Sequence, residues 1–348
     1  MMSAPTGTAA RTAPTTDTDV LLDVSDLTVE FSTRHGAVAV VEHVDLAIRR
    51  GQIHAVVGES GSGKSVTALA IMGLLPRRTA RIASGRIVFR SRDLTRLSRR
   101  ELRDLQGRDM AMVFQEPMTS LNPAFKVGDQ IAESVRHHLG KSRRDARARA
   151  VELLDEVGIP QASRRLDSYP HEFSGGMRQR VMIAIALACN PGLLIADEPT
   201  TALDVTIQAQ IVDLLRRLSR DHDTAVMFIT HDFGVVAEVA DVVTVMYAAQ
   251  TIESADVFGL FEAPRHPYTE ALLHAVPSLD DEIVVEDERG LPGVPPNPTA
   301  FPEGCRFAPR CAYAADACRA GPIELRVVGN ERSVRCVRAE ELHLGGRS

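Results

Sequence analysis

The segment Gly58–Ser65, "GESGSGKS", stands between an apolar run, "IHAVV", and a stretch of helical character, "VTALAIMGLL". Glycine, four residues, glycine, lysine and serine at that spacing form a phosphate-binding loop. Gly58, Gly61 and Gly63 let the backbone of Ser60 and Ser62 curl so that successive amides face phosphate oxygens, and the following helix adds its positive end. Lys64 is then placed for the β- and γ-phosphates and the Ser65 hydroxyl for Mg²⁺. A loop of this kind needs a buried strand before it and a helix after it, which restricts the chain to an α/β fold.

The rest of the chain agrees. "LTVEF" (27–31) and "VDLAIRR" (44–50) alternate apolar and polar residues, the mark of half-buried antiparallel strands. "IHAVV", "GLLIADE" and "AVMFITH" are short and almost continuously apolar, as in parallel strands covered on both faces. Between them "SVTALAIMGLL", "RDARARAVELLDEVG" and "QAQIVDLLRRLSRD" read as helices. The 348 residues suffice for one large core and a smaller unit. Residues 1–19, rich in Thr, Ala and Pro and without an apolar stretch, are expected to be a disordered tail. Beyond about Gly259 the texture becomes Pro-rich and ends in a Cys-containing module. A net charge of −6 gives no sign of a nucleic-acid binder. The longest apolar stretch, "VMIAIALACNPGLLIA", is interrupted by Asn190, Pro191 and Gly192, so the chain is not expected to cross a membrane.

Further motifs carry chemistry only in combination. "LLIADEP" (193–199) ends a strand in two acids: Asp197 suits a Mg²⁺ site and Glu198 a general base, although such a pair also caps helices. "FSGGMRQR" (173–180) opens a helix and is either an anion site or a plain cap. Gln115 in "VFQEP" and His231 in "FITHDF" are as easily structural as catalytic. Their order is more telling: loop, glutamine, Ser-Gly-Gly, Asp-Glu, "TALD" (201–204), histidine, with Ser174 lying 23 residues before Asp197. In that order the chain resembles the ATPase subunit of an ABC transporter over residues 20–258.

The resemblance implies a RecA-like core with an antiparallel β subdomain and a helical subdomain at about 116–185, followed by a carboxyl-terminal extension over 259–348. It implies ATP and Mg²⁺ as cofactors. Phe31 takes the place of an aromatic residue that stacks on adenine, usually Tyr. Ser65, Gln115 and Asp197 become the Mg²⁺ residues, and Glu198, Gln115 and His231 the catalytic ones. Ser174, Gly175 and Gly176 bind the γ-phosphate of the nucleotide on an opposite subunit, and Asp204 belongs to a loop crossing that interface. Phe173 and Met177 replace the usual Leu and Gln beside the signature glycines. Longer strings, "VGESGSGKSVTALAIMGLLP", "FQEPMTSLNP", "IADEPTTALDVTIQAQI", "APRHPYTEALL" and "GCRFAPRC", resemble the oligopeptide, dipeptide and nickel importers, and within them the first of two ATPases. Implied partners are a second ATPase, two integral-membrane permeases and an extracytoplasmic substrate-binding protein, with this chain peripheral at the cytoplasmic face of a bacterial membrane. The segment from Gln115 to about Gly140 is the expected permease contact. A soluble ABC ATPase of DNA repair and a redox-regulated nucleotide sensor are the readings of other classes.

Five cysteines occur. Cys189 lies in an apolar helix and suits a core position. Cys305, Cys311, Cys318 and Cys336 cluster at the end, separated by five, six and seventeen residues. A reducing compartment disfavours disulfides, and four thiolates suit either zinc or a 4Fe–4S cluster. The resemblance implies the 4Fe–4S cluster, in a structural role.

Overall fold

The structure, a computed structural model, describes residues 19–34, 36–114, 120–200, 204–275, 293–329 and 332–347. Two long strands, β1 (Val20–Thr33) and β2 (Gly36–Arg49), form an antiparallel hairpin. It is extended by β4 (Ala80–Phe89) and the short β5 (Arg92–Asp93) into a sheet of order β2-β1-β4-β5. Leu22, Val24, Leu27 and Val29 of β1 point into a core shared with Ile48, Ile87 and Phe89. The chain shifts register near Asp26, which takes a positive φ of 53°.

The second sheet is larger. Its order is β11 (Arg326–Val327), β12 (Ser333–Val334), β10 (Gln250–Asp256), β9 (Val242–Tyr247), β3 (Ile53–Val57), β8 (Ala225–Thr230), β7 (Leu193–Asp197) and β6 (Met110–Val113). From β9 to β6 every pairing is parallel, and β10, β12 and β11 continue antiparallel. All residues of β3, β7 and β8 are buried, as their unbroken apolar runs require.

Helices cover this sheet. α1 (Lys64–Ile71) follows the phosphate loop and packs against the first sheet, and α2 (Arg99–Leu105) opens on a capping box between Ser98 and Glu101. α3 (Val127–Leu139), α4 (Arg143–Glu156), α5 (Ala162–Arg165) and α6 (Gly175–Ala186) form a helical group. Ile131, Val135, Leu153 and Val181 of that group share one core with Leu194 and Phe228 of the sheet and Ile211 of α7 (Val205–His222). Then come α8 (Phe233–Val239), α9 (Val257–Glu262) and α10 (Pro267–Ala275). None of the described helices is long and apolar enough to cross a membrane.

The carboxyl-terminal tail is poor in apolar residues and has little regular structure, so it buries its side chains in the cassette. Phe307 enters the same core as Tyr247, Tyr268 and Leu260. Arg335 donates to the carbonyls of Thr251, Ile323 and His43, and Arg306 donates to Ala248 O and pairs with Glu42. Buried guanidinium groups that satisfy several carbonyls are the polar counterpart of a core. Cys189 is half-buried against the helical core, its thiol 3.7 Å from Ser134 O.

Candidate functional site

The parallel order explains the site. β3, β8 and β7 are adjacent, and their carboxyl ends deliver the phosphate loop, His231 and the Asp197–Glu198 pair to one edge of the sheet, where α/β proteins bind ligands. Val57 is level with Thr230, and Asp197 with Ile229.

The loop is shaped for close approach of backbone. Gly58, Gly61 and Gly63 have φ of 150°, 80° and 105°. A Cβ on Gly58 would lie 2.1 Å from Met246 O and one on Gly63 2.8 Å from Val40 O. At Gly61 a Cβ would meet nothing within 4 Å, so this bend faces open space. Gly63 begins α1 without a side-chain cap, which leaves the first-turn amides for a ligand. The Ser62 hydroxyl is buried without a hydrogen-bond partner among the described residues. These features fit a bound polyphosphate.

Lys64 is 5% exposed, and its Nζ donates to Gly58 O at 2.6 Å and Glu59 O at 3.0 Å. Burial lowers its pKa, and Glu198, Asp197 and Glu59 oppose that shift. Ser65 Oγ donates to Asp197 Oδ1 at 3.0 Å. Burial raises the pKa of Asp197; Glu198 adds to the rise, while Ser65 and Lys64 resist it. A serine hydroxyl and a buried carboxylate in contact beside the loop are a donor set suited to Mg²⁺. Opposed shifts on neighbouring groups at a strand edge mark a site built for charge.

Glu198 turns out of the strand with a φ of 46°, its amide bonded to Ile229 O at 2.9 Å. Its carboxylate oxygen lies 3.6 Å from His231 Nδ1, and the imidazole is largely exposed. The two residues, 33 positions apart in sequence, therefore meet at the same edge.

Other sequence candidates stand apart. Ser174 caps α6, its Oγ accepting from Met177 N at 3.4 Å, and Gly175 and Gly176 form the first turn. A Cβ on Gly176 would sit 2.7 Å from Ile207 Cγ2, so tight contact with α7 also demands glycine there. Asp204 caps α7 by accepting from Ile207 N at 2.9 Å and is exposed. Phe31 is half-buried against the core of the antiparallel sheet and pairs with Val38 of β2 and Ala80 of β4. Gln115 lies outside the described residues.

The tail cysteines require a correction. Cys305, Cys311, Cys318 and Cys336 are brought into one neighbourhood: Cys305 N donates to Cys318 O at 2.8 Å, and Cys336 is influenced by the other three. Among the described residues, however, no three His, Cys, Asp or Glu side chains converge closely enough to hold a metal ion. Burial raises the thiol pKa values of Cys305 and Cys311 and pushes Cys336 up to about 11. The residues as arranged do not fit a 4Fe–4S centre.

Sequence reading missed Glu59, Tyr268 and Arg310. The amide of Glu59 donates to Tyr268 Oη, and its carboxylate takes both Arg310 nitrogens. "APRHPYTEALL" and "GCRFAPRC" contain both partners, but nothing local links them to a loop two hundred residues earlier.

Comparison with known proteins gives a consistent result. Residues 41–201 match the "ABC transporter" family and residues 252–318 the "Oligopeptide/dipeptide transporter, C-terminal region". A putative peptide import ATP-binding protein of Brucella melitensis is 50% identical over 332 residues, covering 92% of this chain and 98% of that protein. The dipeptide transport ATP-binding protein DppD of Escherichia coli is 49% identical over 91% of this chain and 96% of its own length. Among solved structures, a dimeric ATP-binding cassette in a post-hydrolysis state with ADP and phosphate aligns at a TM-score of 0.61 and 25% identity, over 68% of this chain and 98% of the other.

Proposed function

The chain belongs to the ATP-binding subunits of ABC transporters, in the oligopeptide/dipeptide branch, and from that membership we propose that its ATP hydrolysis powers uptake of peptides through a membrane importer. The observation that carries the reading is the contact of Ser65 with Asp197 beside a buried Lys64 and a Glu198–His231 pair, at the edge of a parallel sheet. In this reading the loop amides of residues 60–65 and Lys64 cradle the phosphates. Ser65 and Asp197, with Gln115, would hold Mg²⁺, which when bound would neutralise charge on the phosphates. Glu198 orients water and takes its proton, and His231 contacts the terminal phosphate. Phe31 is the adenine platform.

One loop and one Ser174–Gly176 turn are complementary halves of different sites, so the working unit is a head-to-tail pair of ATPases with Asp204 at the junction. The second ATPase is a different chain in this proposal. Two permeases and an extracytoplasmic binding protein complete the importer, and the ATPases sit at the cytoplasmic face. Reconstitution with neighbouring permeases and binding protein tests the proposal: dipeptides or oligopeptides should stimulate ATP hydrolysis. Stimulation by nickel and not by peptides would assign the chain to the nickel importers of this branch.

A 4Fe–4S centre on the tail thiols stays outside this reading, because three converging sulfurs are lacking among the described residues. Iron and sulfide analysis of anaerobically purified protein decides the point; about four iron atoms per chain would restore the centre and require the tail to rearrange around it.

A further inference from the structure

We infer that Arg310 and Tyr268, both in the carboxyl-terminal extension, are positioning residues for the nucleotide site, acting through Glu59 of the phosphate loop. Glu59 is bonded at three points. Its carboxylate receives Arg310 in a fork, Nη1 to Oε2 and Nη2 to Oε1, each at 3.0 Å. Its amide donates to Tyr268 Oη at 3.0 Å, and its carbonyl accepts from Lys64 Nζ at 3.0 Å. Two of these tethers come from the tail, and the third is the cation of the site.

The tethers are themselves immobile. The Arg310 side chain is 5% exposed and lies over the rings of Tyr247 and Phe307, at 5.8 and 5.9 Å. Tyr247 and Tyr268 are fully buried, with ring centroids 4.5 Å apart, and Phe307 packs edge-on against both. A bidentate fork seated on a packed aromatic platform fixes direction as well as charge. The preceding glycine is wedged against Met246 O, next to Tyr247 in the chain. The first half of the loop is thus pinned from the tail side, while the Gly61 bend stays open to a ligand. A loop held in its binding shape spends less of the ligand's interaction energy on ordering.

Charge gives the inference its direction. With Arg310 present the Glu59 carboxylate is paired. Without it, a partly buried anion stands beside Lys64, pulling the ammonium towards itself and repelling a polyphosphate. The defect should therefore be partly repaired by removing the carboxylate too, which a merely structural role for Arg310 does not predict.

The test uses the full-length chain, a fluorescent ATP analogue for affinity, and the thermal midpoint without nucleotide for stability. Arg310→Met should weaken nucleotide binding roughly tenfold, as expected for a lost charge-assisted pair. Glu59→Gln/Arg310→Met should recover to within about threefold of wild type, and Tyr268→Phe should cost a few-fold, the range of one hydrogen bond. Arg335→Met, which loosens the tail away from the loop, should lower the thermal midpoint and leave affinity within about twofold. Wild-type affinity in Arg310→Met, a double variant as weak as the single, or an equal loss in Arg335→Met would each overturn the inference. Should Arg310→Met fail to fold, Glu59→Gln removes the fork from the loop side without disturbing the aromatic platform. It should bind about threefold more weakly, and unchanged binding there also overturns the inference. The inference rests on the loop being the nucleotide site, which Lys64→Ala tests separately: nucleotide binding retained in that variant sinks the site and leaves the Arg310 result uninterpreted as positioning.

Discussion

Ser65 donates its hydroxyl hydrogen to Asp197 across 3.0 Å, although 131 residues separate them in the chain. The contact exists because β3 and β7 flank β8 in a parallel sheet, so Ser65 in the first turn of α1 faces the acid that ends β7. In the proposed site both serve one Mg²⁺ ion, and a different sheet order would keep them apart.

Lys64→Ala should abolish measurable nucleotide binding. The ammonium is buried among Gly58, Glu59 and the two acids, and its loss removes charge-assisted bonds of about 1.5–3 kcal/mol each. Titration with a fluorescent ATP analogue should show affinity reduced by at least about 100-fold. The unliganded fold should survive, because both protein partners of Nζ are loop carbonyls close to the site's open side.

Glu198→Gln should keep nucleotide binding and lower turnover by about 10²–10⁴, the range of a lost general base. His231→Ala should lower turnover as well, with affinity much less affected, since its imidazole is exposed and 3.6 Å from the acid. Steady-state phosphate release measured beside equilibrium binding separates the two quantities. Wild-type turnover in Glu198→Gln would mean that another group activates the water.

Gly176→Ala should destabilise the protein by about 1–3 kcal/mol, because the new methyl would lie 2.7 Å from Ile207 Cγ2. Gly176→Ala/Ile207→Ala should recover much of that loss. Urea midpoints of the two variants check the pairing of α6 with α7; a harmless Gly176→Ala would contradict the tight helix contact.

Acid should weaken the fold through two buried histidines. His54, bonded through Nε2 to Thr244 Oγ1, and His266, whose Nδ1 accepts from Tyr268 N, are each lowered from 6.5 to about 3, chiefly by burial. A depressed folded pKa means that the neutral ring favours folding. That stability is fully present above pH 6.5 and is lost as pH falls towards 3, by roughly a few kcal/mol per ring. Urea midpoints taken from pH 7.5 to pH 5 should fall, and the fall should be smaller in a His54→Gln/His266→Gln variant. An identical slope in that variant would show that other groups carry the acid sensitivity.

The local chemistry was legible in the chain because it is local. "GESGSGKS" needs only its own glycines and the following helix to become an anion cradle, and the predicted strand "IHAVV" coincides with β3. The continuous apolar runs announced buried parallel strands, and the Ser174–Gly176 turn announced a helix start, because burial and capping act over a few residues. Which strands would be neighbours was not readable. Sheet order depends on long-range pairing whose partners have similar apolar faces, so β8 between β3 and β7 emerges only from packing all helices over one sheet. The same limit hid the tail. Its Pro-rich sequence suggested a module apart and its cysteines a metal, whereas burial of Phe307, Arg306 and Arg335 against the cassette sets its position. Arg310 shows the reason most plainly: an arginine in a Pro-rich stretch carries no local sign of its partner, and only the platform of Tyr247, Tyr268 and Phe307 brings its fork to Glu59.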